Sequence, residues 1–101
     1  MIHAVHNTGI KDAVLEEIAA LAEKNGIEKV ILFGSRARGD FRRESDIDLA
    51  VYGGDADQFH LALEEETGTL LCFDVVNMNQ PLQPALLDSI QREGKVLYEK
   101  V

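Results

Sequence analysis

The sequence predicts an α/β fold: a mixed β-sheet of four to five strands, flanked by helices. Three observations point there. Helical and strand patterns alternate along the chain, in the order helix, strand, helix, strand, helix, strand, helix, strand. The strand candidates are short and rich in β-branched or aromatic residues, as strands buried between helices require. At 101 residues, with 46% hydrophobic and 28% charged side chains, the chain has the balance of one ordinary globular domain, spanning 1–101.

The first element is a helix over Asp12–Lys24, where Val14, Leu15, Ile18, Leu21 and Ala22 fall at helical spacing and Asn25-Gly26 ends the run. Lys29–Phe33 follows as a short buried strand stopped by Gly34, and Ser35–Gly39 opens a short helix. Asp46–Tyr52 alternates acidic and apolar residues before Gly53-Gly54 breaks it, the pattern of a second strand. Asp57–Glu66 reads as a helix carrying Phe59, Leu61, Ala62 and Leu63, and 70–77 as a third strand. Pro81 and Pro84 mark the approach to a last helix that runs to Glu93, where Gly94 suits a left-handed cap. Lys95–Glu99 closes the chain as a short strand.

Composition narrows the function. No basic region followed by an apolar run opens the chain, and no apolar stretch approaches the ~20 residues that cross a bilayer. The single cysteine, Cys72, lies between Leu71 and Phe73 and reads as core packing in a reducing, cytoplasmic setting. A net charge of −8 argues against direct nucleic-acid binding, which needs a basic face, and suits a basic protein partner. Charge is local, however. Arg36, Arg38, Arg42 and Arg43 crowd one short segment that a small anionic substrate could use.

That segment begins the chemistry. Gly34-Ser35 stands at a strand-to-helix corner, where glycine lets backbone approach a ligand and free N–H groups point outward. Polyphosphate suits such a corner, although Ser35 could equally cap the helix. Ten residues intervene before Asp46-Ile47-Asp48, whose alternation puts both carboxylates on one strand face. Two such carboxylates repel unless a cation lies between them, and Mg²⁺ takes oxygen ligands of this kind. The plainer alternative is a solvated acidic strand face. Asp74 interrupts an otherwise apolar run, where a solitary charge is costly unless paired or metal-bound. If its strand lies beside the second, Asp74 completes a three-carboxylate cluster able to hold two cations; otherwise it faces water at a sheet edge.

Gly34-Ser35, the ten-residue interval and Asp46-Ile47-Asp48, with the later Asp74 and the closing 93–98, resemble the signature of the DNA polymerase β-type nucleotidyltransferases. The likeness is to their minimal, MNT-type branch. It implies that Gly34 and Ser35 hold the triphosphate and that Asp46, Asp48 and Asp74 bind metal, Mg²⁺ or else Mn²⁺. Asp74 would also help activate an acceptor hydroxyl. Larger members carry a further helical region for the acceptor or base, so the resemblance implies an acceptor brought by another chain. Similar chains act as antitoxins beside a HEPN-type ribonuclease, and some transfer AMP from ATP to a tyrosine of that toxin. The resemblance therefore implies a magnesium-dependent protein adenylyltransferase, with ATP as substrate and a HEPN-type toxin as partner.

The residues leave further choices. Arg36 and Arg38 are candidates to neutralise triphosphate, since guanidinium pairs bidentately with phosphate; Arg42 and Arg43 are weaker ones that could be solvated or pair with Glu44. His3, His6 and His60 show no metal-type spacing, and Glu64-Glu65-Glu66 reads as a solvated helix end. Two alternatives to the adenylyltransferase stand. One is a non-catalytic antitoxin that neutralises its partner by covering it. The other is a transferase acting on a small, antibiotic-type molecule.

Overall fold

The computed structural model describes residues 1–101. Four helices and four strands follow one another: α1 (Asp12–Lys24), β1 (Lys29–Phe33), α2 (Ser35–Arg38), β2 (Ile47–Tyr52), α3 (Ala56–Glu66), β3 (Phe73–Asn77), α4 (Pro84–Glu93) and β4 (Lys95–Glu99). No helix is long and apolar enough to cross a membrane.

The sheet is mixed, as expected, in the order β3-β2-β1-β4. β1 lies between antiparallel β2 and β4, whereas β2 and β3 run parallel and are joined by a crossover through α3. The two sheet faces differ greatly in cover. On one, Val30, Leu32, Ile47, Leu49, Val51, Phe73 and Leu97 pack against Val14, Leu15 and Ile18 of α1 and Phe59 and Leu63 of α3, in a cluster of 21 buried residues. On the other, α4 covers the sheet with only three buried residues, Phe33, Ala50 and Ile90, and with half-buried Ile31, Val76, Met78, Leu82 and Leu86 around them. Each fully buried aliphatic side chain contributes roughly 1.5–3 kcal/mol, so the first face carries most of the stability.

Several boundaries differ from the sequence expectation. β3 starts at Phe73 instead of residue 70, because the parallel register with β2 begins at the Ile47–Phe73 pair. The residues before it are outside the sheet: Leu70 is fully exposed and Cys72 is exposed too, so Cys72 is not a core residue. α3 begins one residue early, at Ala56, because the Asp55 carboxylate accepts from the Gln58 N–H at 3.1 Å and caps the helix. Gly94 is not a left-handed cap, since its φ is −66°. A Cβ there would collide with the Ile90 carbonyl oxygen and would come within 2.5 Å of Ile31 Cγ2. Crowding by the last-turn carbonyl of α4 and by Ile31 of β1, not backbone handedness, requires glycine.

Candidate active site

β2 is buried on one face by Ile47, Leu49 and Val51, so Asp48 projects from the other, the face beneath α4. β3 repeats the pattern, with Phe73 on the main core and Asp74 opposite. In the sheet register Asp48 is the direct partner of Asp74 on one side and of Phe33 on the other. Neighbouring strands lie about 4.8 Å apart, so the two acids share one small region of surface. Asp46 lies one alternation earlier, just before β2, and is exposed.

The Asp48 carboxyl is pushed up to about 6, chiefly by burial and further by the Asp74 and Asp46 charges, with Arg38 opposing. Asp48 thus meets two like charges, which a cation would relieve. The three acids do not close into a ready-made three-ligand cage. An all-oxygen donor set of this kind fits Mg²⁺, which binds through a few carboxylates and keeps water or phosphate oxygens in its remaining positions.

Gly34 follows Phe33 directly and turns the chain out of the sheet at φ 76° and ψ −157°, a conformation open essentially to glycine alone. A Cβ at this position would run into the Asp48 carboxylate. The corner backbone and the carboxylate are therefore in direct apposition. Gly34 is itself the N-cap of α2, with no side-chain capping bond, so the helix-cap reading of Ser35 fails. The Gly34 carbonyl accepts from the Ala37 and Arg38 N–H groups at 3.1 and 3.0 Å.

The arginines separate. Arg38 is 43% exposed and donates to Asp40 at 3.1 Å and to Glu93 at 2.9 Å, partners that raise its affinity for its proton. It is close enough to Asp48 to pull that carboxyl down. Arg36 is different. It is 2% exposed, and its guanidinium donates to the carbonyls of Thr8, Ser45, Arg42 and Arg43. Every donor so engaged is lost to a ligand, which corrects the expectation that Arg36 binds triphosphate. Two contributors were not foreseen: Glu93, which orients Arg38, and Phe41, whose ring lies 5.0 Å from the Arg36 guanidinium. Glu93 opens the closing 93–98 stretch of the signature, but nothing in the sequence pairs it with Arg38 or Phe41 with Arg36. The clefts of the molecule lie elsewhere, such as one of about 420 Å³ beside His3, His6, Asp12 and Glu16. The acidic site is an open shelf.

Residues 16–101 match the family described as polymerase beta, nucleotidyltransferase. The chain belongs to this nucleotidyltransferase family. A candidate protein adenylyltransferase of Methanocaldococcus jannaschii is 37% identical over 97 residues, covering 85% of this chain and 95% of the relative. Among solved structures, a candidate minimal nucleotidyltransferase is similar at 32% identity and a TM-score of 0.62, covering 80% of this chain and 86% of its own. A toxin–antitoxin complex solved with AMP-PNP is similar at 25% identity and a TM-score of 0.66, covering 85% of this chain and 73% of its own. The nucleotidyltransferase fold expected from the motif is thus the fold observed, and the acidic shelf lies where its two motif strands meet.

Proposed function

We propose that this nucleotidyltransferase moves AMP from ATP to a tyrosine hydroxyl of a HEPN-type toxin and so acts as its antitoxin. The observation that carries the reading is the register pairing of Asp48 with Asp74, with Gly34 backbone against the Asp48 carboxylate. A protein acceptor is supported by the adenylyltransferase relative, and toxin pairing by the complex solved with AMP-PNP.

In this reading Asp46, Asp48 and Asp74 hold Mg²⁺, as two ions, with Mn²⁺ able to substitute. When bound, the metal neutralises triphosphate charge and favours departure of pyrophosphate. Gly34 presents backbone to the phosphates, the Ser35 hydroxyl donates to a phosphate oxygen, and Arg38 adds a positive charge at the rim. An Asp74 carboxylate oxygen takes the acceptor's proton while the acceptor oxygen bonds to the α-phosphorus. The bond from that phosphorus to the α,β-bridging oxygen breaks, and pyrophosphate leaves with the electron pair.

Incubating the chain with α-labelled ATP, Mg²⁺ and the toxin tests this directly. Label should reach the toxin, and Asp48→Asn or Asp74→Asn should lower the rate at least ~100-fold while the fold is retained. Undiminished labelling by both variants would refute the assignment. The net charge of −8 also favours a second reading, in which the chain only covers a basic partner. A variant with all three aspartates changed to asparagine decides between them: full protection of cells by it would establish covering alone.

A further inference from the structure

We propose that Arg36 is a positioning residue, which fastens the loop carrying Asp46 and thereby sets where that metal-binding carboxylate stands. The inference rests on the metal-site reading above. Two other stretches of chain, the 42–45 loop and the backbone at Thr8, meet at this one guanidinium. Nε donates to the Ser45 carbonyl at 3.0 Å, the residue immediately before Asp46. Nη2 donates to the Arg43 carbonyl at 3.2 Å and, more weakly, to that of Arg42 at 3.5 Å. Nη1 reaches 28 residues back to the carbonyl of Thr8, itself a buried residue, at 2.9 Å.

Beyond the Arg38–Asp40 pair at its start and the Ile47 N–H donating to the Cys72 carbonyl at its end, the loop has little else to hold it. Between α2 and β2 it contributes one short turn, in which the Ser45 N–H donates to the Arg42 carbonyl and the Arg42 N–H to the Ser45 hydroxyl. That turn aims three carbonyls at the same cation. Phe41 lies over the guanidinium, and Gly9, at φ +70°, leaves the space for this stack: a Cβ there would collide with the Phe41 ring. Burial lowers the guanidinium's hold on its proton, and the nearby Asp46 charge offsets part of that. A lysine keeps the charge but has a single nitrogen, which cannot span the carbonyls of the 42–45 turn and of Thr8 together.

The test compares wild type, Arg36→Lys, Phe41→Leu and Asp48→Asn by titration of Mn²⁺ alone and by amide hydrogen exchange. Arg36→Lys should weaken Mn²⁺ binding by about tenfold or more, the usual effect of removing a residue that orients a ligand. Exchange should speed up at residues 42–46 while α1 and the sheet stay protected. Phe41→Leu, which keeps the guanidinium, should give a smaller change of the same kind and stands in if Arg36→Lys does not fold. Wild-type exchange at 42–46 in either folded variant would overturn the proposal. So would Arg36→Lys that binds Mn²⁺ like wild type while Asp48→Asn does not. Equal Mn²⁺ binding by wild type and Asp48→Asn would instead defeat the metal-site reading, leaving the loop-fastening role to be decided by exchange.

Discussion

At the scale of single residues, Asp48 is where the proposed site and stability conflict. Its ordinary value is near 3.8 and the fold raises it to about 6, so the unfolded chain ionises first as pH climbs. Below about pH 4 the carboxyl is protonated in both states. Stability is then lost as pH rises, and the loss is complete above about pH 6. Discounted for its partial exposure, this amounts to about 1 kcal/mol at neutral pH, or roughly 4–8 °C in Tm for a domain this small. In the presence of chelator, Asp48→Asn should therefore melt higher than wild type near neutrality, and the two should converge near pH 4. Thermal melts at the two pH values check it; a variant that melts lower at neutrality would show that the ionised carboxylate is held by a partner.

At the scale of elements, α4 seats against β1 through Gly94, and the reason for glycine there makes a distinction that can be measured. Overpacking a tight contact costs about 1–3 kcal/mol, so Gly94→Ala should destabilise by that order, and Gly94→Asn by more. A left-handed cap would give the reverse order, because asparagine tolerates that conformation better than alanine. Denaturant unfolding of both variants separates the two. Gly94 also shows where sequence reading stops, since a glycine after a helix looks the same for either cause. Elements set by local pattern were legible: α1, β1 and β4 have the bounds that their periodicity and flanking residues predict. Leu70-Leu71-Cys72 looked like strand, but pairing begins only where Phe73 meets Ile47. The alternation that turns Asp48 away from Ile47 and Leu49 was readable, although the strand starts at Ile47 and leaves Asp46 just outside it; the parallel adjacency of Asp48 and Asp74 is a tertiary fact. Likewise, on a four-residue helix periodicity could not say which arginine turns inward. Carbonyls of residues 8 and 42–45 decide that.

At the scale of the whole molecule, cover is unequal. The α1 and α3 side holds 21 buried core residues and the α4 side three, yet the acidic shelf is on the α4 side. Local opening follows buried contact, so amides of α4 should exchange through openings of lower free energy than those of α1. Native-state hydrogen exchange in low denaturant measures this; equal opening energies for α4 and α1 would show that the two faces unfold as one unit. The parallel pairing of β2 with β3 has a further consequence for a chain leaving the ribosome. Gly34, Ser35, Asp46 and Asp48 emerge early and close together, but Asp74 takes its place only after the α3 crossover has been synthesised and folded back. A nascent chain shorter than that carries Gly34, Ser35, Asp46 and Asp48 without Asp74, so the proposed three-carboxylate site is assembled only once the third strand is in the sheet.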